Sequence, residues 1–479
     1  MRTFVLGLIA GAALVAPAAV AAQSPVNGPI VLSKDWQDKS RALYKTAIEI
    51  PTVAGRGAPH KQMADWLTGE YRKNGWAASD VQVLPYDGSD EKKYAVYARW
   101  PAAQPSGKKP ILIIAHMDVV EAKRADWELD PFKFVEKDGY FYGRGTSDDK
   151  QGVIATTAAL FKLRADGFKP DRDIIVFYSG DEETDGKGAL MAANDWRKLT
   201  DAEFALNADA GGGAWDASGR SLGFGLQTAE KIYQDYRLTA TNRGGHSSRP
   251  RPDNAIYDLS RALLKLGEHR FVPKLNETTR AYYTARAVQE GNSPLGNAMR
   301  AWLANPDDAK AADAIEASEL EVGTTRTRCV ATMLDGGHAP NALPQKAEAN
   351  VNCRALPGST EAELTQELQA IVGPSIKVAT VGPFKPSPPS PLRDDVVGAY
   401  TKTVRSMYGN DIQIVPQMST GATDGLFFRQ VGIPVYGVDM TWGISPVDER
   451  AHGLDERMPV RAFYNDVAGW EMLIRDLAG

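Results

Sequence analysis

Between residues 35 and 75 apolar side chains recur at helix-like spacings, with Leu43, Ile48, Met63, Leu67 and Tyr71 as markers. Short apolar runs bounded by turns follow at 94–100, 110–115 and 173–178, and an Ala/Leu/Thr stretch of helical length at 153–164 lies between the last two. Buried strands alternating with helices predict an α/β domain whose sheet is largely parallel. The pattern changes from Lys231 onward. Residues 233–240 alternate apolar and polar, 254–267 reads as an amphipathic helix, two strands flank Gly336-Gly337, and a second helix is expected over 361–372. That β-α-β-β-α order predicts a compact α+β insertion. Within it, residues 278–318 are Ala-rich and helical, an extra that such a unit does not need. Ser387-Pro388-Pro389-Ser390-Pro391 is a stiff connector that marks a boundary, after which helix and an apolar strand (431–438) return.

The first residues have a different character. Met1-Arg2, an apolar run over 4–15, Pro17 and an Ala-rich stretch ending at Ala22-Gln23 form a secretory leader expected to be cleaved near Ala21 or Ala22. The apolar run is shorter than the roughly 20 residues that span a bilayer. The expectation is an exported protein, periplasmic or secreted, with no membrane anchor after cleavage. Its parts would be a leader (1–22), a split α/β domain (23–230 and 387–479) and an inserted α+β unit (231–386) carrying the helical extra at about 278–318.

Composition narrows the function. The 479 residues carry a net charge of −5, which lacks the basic excess of a nucleic-acid binder. Two Cys exclude a disulfide-built scaffold or a Cys-rich zinc module, and six His make each one informative. Cys329 and Cys353 lie almost symmetrically about Asn341 on segments that read as antiparallel strands. In an oxidising compartment they either pair or stay as two buried thiols.

Candidate chemistry sits at the ends of the strand-like runs. His116-Met117-Asp118 follows the run at 110–115, and residues two apart on an extended segment face the same side. Gly143-Arg144-Gly145-Thr146-Ser147-Asp148-Asp149-Lys150 leads into the helix from Val153; its acids are either ligands at a strand-to-helix crevice or helix caps. Asp181-Glu182-Glu183 ends the run at 173–178 and is either a cation site or a solvated acidic loop. Asp209 and His452 follow further along. Mixed His and carboxylate donors suit Zn²⁺, with Co²⁺ or Mn²⁺ also compatible, better than Ca²⁺ or Mg²⁺. One competing motif, Gly219-Arg220-Ser221-Leu222-Gly223, fits the pattern of a serine-hydrolase elbow but lacks the apolar strand before it and the helix after it.

In this order, and with Gly245-His246-Ser247-Ser248 added, the motifs resemble those of the co-catalytic zinc metallopeptidase family. That family includes aminoacylase, glutamate carboxypeptidase, succinyl-diaminopimelate desuccinylase, acetylornithine deacetylase and the yeast vacuolar carboxypeptidase. The likeness runs from about His116 to His452 and is nearest to the carboxypeptidase and dipeptidase branch. It implies a zinc-exopeptidase-like α/β catalytic domain with a mixed, mostly parallel sheet and a ferredoxin-like α+β lid. Two zinc ions are implied: His116 and Asp209 on one, Glu183 and His452 on the other, with Asp148 bridging. Asp118 would orient His116, and Glu182 would be the general base. The Asp148–Asp149 peptide would be cis, although Asp149 stands where relatives often carry an apolar residue.

From the lid, His246 would serve as an oxyanion donor, also across a dimer, and Asn341 and Arg354 would hold the substrate carboxylate. Gly421 and Thr423 would contact the substrate backbone. His60 and His338 have no role in this scheme, and His269 reads as a helix-terminal cation. Two zinc ions about 3.5–4 Å apart share a water and lower its pKa, and Glu182 takes its proton. The activity so implied is a carboxypeptidase-type exopeptidase cleaving an amide next to a free carboxylate through a hydroxide held by both metals. The alternative is a dipeptidase or N-acyl-amino-acid amidohydrolase using the same site. The substrate is then a peptide or N-acyl amino acid, and a homodimer through the lid is compatible, although the helical insertion could cover the lid edge.

Overall fold

Two runs of the chain are buried at every position, Ile111–His116 and Ile174–Ser179. A strand covered on both faces has no solvent side, so it reads as an unbroken apolar run. These two are neighbours at the centre of an eight-stranded sheet in the computed structural model, which describes residues 30–89 and 91–479. The leader expected over 1–22 lies outside the described residues.

The principal strands in chain order are β1 (Val81–Asp87), β2 (Lys92–Trp100), β3 (Ile111–His116), β4 (Ile174–Ser179), β5 (Phe204–Trp215), β6 (Ser221–Glu230), β7 (Ile232–Thr241), β8 (Arg328–Gly336), β9 (Lys346–Ala355), β10 (Ile376–Val381), β11 (Ile414–Ser419) and β12 (Val435–Ile444). The large sheet runs β1-β2-β4-β3-β5-β12-β6-β11. Its pairs β4/β3, β3/β5, β5/β12 and β6/β11 are parallel, while β1 and β2 enter antiparallel. The mixed, mostly parallel α/β sheet expected from the apolar runs is the one observed.

The main helices are α1 (Lys34–Glu49), α2 (Gly57–Lys73), α3 (Lys150–Ala165), α4 (Lys187–Ala193), α5 (Ala255–Glu268), α6 (Glu277–Glu290), α7 (Pro294–Ala304), α8 (Ala309–Glu316), α9 (Glu361–Val372), α10 (Asp394–Tyr408), α11 (Gly425–Gln430) and α12 (Val460–Leu477). One face of the large sheet is covered by α1, α2, α3, α10 and α12, which share one apolar core. The other face is covered by α4 and α11 through Ala189, Ala192, Phe427 and Phe428. The helical pattern over 35–75 resolves into α1 and α2, separated by a turn that contains Pro51 and Gly55. The strand expected at 431–438 begins later, at Val435, because Gly432 takes a positive φ of 82° and Pro434 follows it.

A second sheet, β8-β9-β7-β10, is antiparallel throughout. Buried positions alternate along β7 and β9, and α5 and α9 pack on the buried face. Its order is that of a ferredoxin-like unit. Cys329 and Cys353 sit directly opposite each other on β8 and β9 and form a disulfide.

The helical insertion (α6, α7, α8) has its own small core of Tyr283, Ala287, Met299, Trp302, Ala312 and Ile315. It does not cover the lid edge. Helix α6 packs instead against β11, the edge of the large sheet. The outer lid strand β8 stays exposed, with Val330, Met333 and Leu334 facing solvent.

Candidate metal centre and substrate pocket

Open α/β sheets bind ligands beyond the carboxyl ends of their strands. Here β3 ends in His116, β4 runs into Asp181-Glu182-Glu183, and β5 carries Asp209 just after its buried half. The loop before α3 adds Asp148, and the loop after β12 adds His452. The Asp148–Asp149 peptide is cis, as the resemblance implies.

Asp148 is central to the cluster. Its Oδ1 lies 3.1 Å from His116 Nε2, and its Oδ2 lies 3.1 Å from His452 Nε2. Asp209 Oδ1 is 3.6 Å from His116 Nε2, and Glu183 Oε1 is 3.0 Å from His452 Nε2. His116, Asp148 and Glu183 bring ligand atoms within 4.8 Å of one another, as do His116, Asp149 and Asp209. Asp149 is less free to serve, because its Oδ2 accepts the His116 backbone N–H at 3.1 Å.

Charge in the cluster argues for a cation. Burial, reinforced by the Asp148 charge, pushes Glu183 up to about 7 and Asp209 up to about 6. Glu182 is pushed well above the carboxylate range, first by burial and then by the charges of Asp209, Asp424 and Asp118. Hydrogen bonds to Asp148 and the Glu183 charge raise His452 to about 9. Burial opposes charge on His116, yet Asp209, Asp118 and Asp148 raise it well above the usual imidazole range. His116 Nδ1 meets the backbone carbonyl of Asp118 at 3.1 Å. A carbonyl only accepts, so Nδ1 holds a proton and Nε2 is the atom that faces the acids. The site calls for positive charge at that point, and the donor set fits a metal ion there.

Neither acid of the Asp148-Asp149 pair caps α3 by its side chain. Close packing at the helix start instead brings α3 onto β5: a Cβ at Gly152 would lie 2.3 Å from Asp149 Oδ1 and 2.7 Å from Ala208 Cβ. Asp118 does more than touch His116. Its carboxylate is 3.5 Å from His116 Nδ1 and accepts the backbone N–H groups of Glu182 and Glu183, both at 3.1 Å.

The cluster of His and carboxylates opens into a cavity of about 520 Å³ lined by Asp148, Glu182, Glu183, Asp209, Thr423 and His452, among others. Thr423 reaches it through a buried network: its Oγ1 donates to Glu230 Oε1 at 2.5 Å and accepts from Asn207 Nδ2 at 3.1 Å. Glu230 is itself paired with the buried Arg429 at 2.5 Å. Gly421 lies in the same loop and is exposed.

Of the lid residues, His246 and Asn341 are not brought to this pocket within one chain. His246 is exposed on a two-residue strand paired to Ala342. Its Nδ1 accepts the Ser248 N–H at 3.1 Å, so the neutral ring carries its proton on Nε2, as a donor would. Asn341 is exposed, and its carbonyl accepts the Ser247 N–H. Arg354 comes nearer: its guanidinium donates to the carbonyl of Thr420, a pocket residue, at 3.0 Å and lies over the Tyr233 ring.

Of the other His, His60 is buried, with Nε2 3.0 Å from the Val53 carbonyl. His269 ends α5 beside Glu367, and His338 is exposed. The segment 219–223 ends the hairpin turn after β5, which Asp216 holds, and begins β6, and is not a nucleophile elbow.

Sequence reasoning missed Glu456, four residues beyond His452. It is fully buried and holds the Asp148 loop, pairing with Arg144 at 2.6 Å and accepting from the backbone N–H groups of Gly145, Ser147 and Asp148. It also missed Tyr282, Leu320 and Gln417, which line the pocket from the insertion and from β11.

A sequence profile described as peptidase family M20/M25/M40 matches residues 112–476. The chain belongs to that family. It is a metallopeptidase or amidohydrolase, that is, a hydrolase. The Homo sapiens protein N-fatty-acyl-amino acid synthase/hydrolase PM20D1 is 28% identical over 482 residues, covering 97% of this chain and 94% of the relative. A probable carboxypeptidase S-like 2 from Dictyostelium discoideum is 26% identical, covering 80% and 74%. The fold is shared with an M20 family metallo-carboxypeptidase of Sulfolobus solfataricus, at TM-score 0.66 and 19% identity over 91% of this chain and 99% of that one. Human carnosine dipeptidase 1 has it too, at TM-score 0.59 and 15% identity over 92% and 97%.

Proposed function

We propose that this chain hydrolyses an amide whose nitrogen side bears a free α-carboxylate, in a peptide or an N-acyl amino acid. The observation that carries the reading is Asp148, whose two oxygens are divided between His116 and His452 at 3.1 Å each. His116 and Asp209 would hold one metal ion, Glu183 and His452 a second, and Asp148 both, with zinc favoured by the donor set. When bound, such a pair supplies Lewis-acid polarisation of the scissile carbonyl and eases deprotonation of water. Glu182, which is not needed as a ligand, takes the proton of the attacking water and returns it to the leaving amine; its raised affinity for protons suits both steps. Asp118 holds the backbone of Glu182 and Glu183 so that base and ligand keep their places.

Arg354 recognises the carboxylate through its planar fork. His246 supplies an oxyanion donor and Asn341 a further substrate contact. Both are exposed and stand outside the pocket of their own chain, so the reading includes a homodimer in which a second copy's lid covers the site. The unpaired apolar edge β8 supports that assembly. The leader at 1–22 and the Cys329–Cys353 disulfide support export to an oxidising compartment. Among the described residues no helix is long and apolar enough to cross a membrane.

Two relatives pull the substrate in different directions, one towards N-acyl amino acids and one towards peptides, but both reactions release an amino acid with its carboxylate. Replacing Glu182 by Gln should lower kcat by roughly 10²–10⁴-fold or more while metal content, read by elemental analysis, stays at the wild-type ratio. Full turnover in that variant sinks the assignment.

A further inference from the structure

Asp209 lies in an interruption of the sheet ladder. Along β5 the register pairs Asn207 with Ile114 of β3 and with Gly437 of β12, and the ladder to β12 resumes only at Gly211, opposite Asp439. An irregularity of this kind re-aims a side chain beside a site. The Asp209 N–H donates to a side chain, meeting Asn207 Oδ1 at 3.1 Å. Asn207 is buried, and its amide continues the chain of bonds: Nδ2 donates to Thr423 Oγ1 at 3.1 Å.

The direction of each bond is forced. A backbone N–H only donates, so the Asn207 atom that faces Asp209 is its oxygen and the one that faces Thr423 is its nitrogen. Thr423 Oγ1 also accepts the Gly425 N–H at 3.1 Å. A hydroxyl has two acceptor positions and one proton. With both positions filled, the proton goes to Glu230 Oε1, 2.5 Å away. The other oxygen of Glu230 pairs with Arg429 Nη2 at 2.5 Å, and both residues are buried. Glycine at 425 leaves room for this packing, since a Cβ there would lie 3.1 Å from Thr423 Oγ1 and 3.3 Å from Arg429 Nη1. The Thr423 hydroxyl is saturated within the protein and has no hydrogen bond left for a substrate.

The chain of bonds ends at the root of the lid. Glu230 is the last residue of β6, and Lys231 leads into β7. The Lys231 N–H donates to the Ser419 carbonyl at 2.9 Å, and Arg354 donates to the Thr420 carbonyl at 3.0 Å. The loop that carries Thr423 is therefore tied to the lid and its junction at Ser419 and Thr420, and to Asp209 at Thr423.

We propose that Asn207, Thr423, Glu230 and Arg429 form a positioning relay that holds the metal ligand Asp209 and joins its placement to the lid junction. The inference rests on the reading of the His and carboxylate cluster as a metal centre, and it adds how one ligand of that centre is coupled to the lid. Such coupling is reciprocal, so a metal that fixes Asp209 also stiffens the junction. Glu230 is the pivot because it gives one oxygen to Thr423 and the other to Arg429; a glutamine offers an oxygen to only one of them.

The test titrates the metal-free full chain with zinc in a calorimeter and follows deuterium uptake by mass spectrometry with and without zinc. Glu230→Gln and Thr423→Val should each weaken zinc binding about 10–100-fold. Thr423→Ser, which keeps the hydroxyl, should bind zinc as the wild type does. Zinc should slow deuterium uptake around Lys231 and Thr423 in the wild type and in Thr423→Ser, and leave it unchanged in Thr423→Val. Because Thr423→Val keeps the Glu230–Arg429 pair and the shape of the side chain, it decides the matter if Glu230→Gln fails to fold. Wild-type zinc affinity in Thr423→Val overturns the inference and leaves the metal reading standing; a raised KM beside that affinity returns the hydroxyl to the substrate. Equal losses in Thr423→Ser and Thr423→Val also overturn it, since they mark a packing effect. Uptake around Lys231 that ignores zinc in the wild type overturns the link to the lid. A wild type that takes up no zinc, cobalt or manganese overturns the metal reading, and the inference with it.

Discussion

The residues assigned to the site divide into those borne by the large sheet and those borne by the lid, and the two groups are held differently. His116, Asp148, Glu182, Glu183, Asp209 and His452 stand at the ends of strands or in loops clamped by buried partners, and they converge within one chain. His246, on a two-residue strand of the lid, and Asn341, in the turn just before the paired strand, are exposed and do not. The hydrogen-bond register of a sheet sets where a strand ends to a fraction of an ångström, so residues at neighbouring strand ends meet without further help. A lid residue is correctly placed only if its whole domain, or that of a second copy, is in position. The sheet-borne group is pre-organised, and the lid-borne group depends on assembly.

The strongest challenge to this contrast is a change at Glu456. Glu456→Gln leaves the buried Arg144 uncompensated and weakens the clamp on the Asp148 loop. Breaking a buried pair costs roughly 3–5 kcal/mol, so the denaturation midpoint and metal retention should both fall sharply. Unchanged stability would mean that the cluster is held by something other than this clamp.

On the lid side, His246→Ala should leave Tm and metal content as they are, since the ring is exposed, while kcat falls by roughly 10²–10³-fold, the cost of losing one oxyanion donor. Specific activity of the wild type should rise with protein concentration as dimers form. Activity that is independent of both would separate the lid from the chemistry.

The junction between the two regions offers the smallest effect. Lys231 joins β6 to β7, is buried, and donates to the carbonyls of Arg326 at 2.7 Å and Arg354 at 3.3 Å. Burial lowers it to about 8. Its unfolded value is about 10.4, so between these limits the folded chain binds fewer protons than the unfolded one, and stability rises with pH across that window. The corresponding cost at pH 7 is on the order of 3 kcal/mol. Lys231→Met should remove that slope in denaturation curves taken from pH 8 to pH 10 or so; an unaltered slope would mean that other groups set it.

The parts of the site that could be read from sequence share a physical cause. A buried parallel strand must be an apolar run, and the first polar residue after it must lie at the mouth of the sheet, so His116 and the acids at 181–183 announced themselves. Glu456 did not, because a lone acid in a loop carries no periodic signal, and only the fold reveals five donors around it. Nor did Tyr282 and Leu320. Tyr282 lies in a segment that reads simply as a helical extra and Leu320 just past it, and the seat of that segment on β11 rather than on the lid is settled by which apolar faces fit together. The pairing of Cys329 with Cys353 was equally open until their register placed them opposite each other.

By itself, the pattern of apolar runs and the order of polar residues after them determined the α/β fold and the α+β unit and put candidate His and carboxylate donors at the mouth of the sheet, because burial and side-chain periodicity are local constraints that every residue must satisfy. Three further features were decided only by the tertiary structure: the division of Asp148 between two His, the clamp by Glu456, and the seat of the helical insertion on β11. Each is a contact between segments far apart in the chain, governed by how domains and faces pack, and no local pattern of residues encodes it.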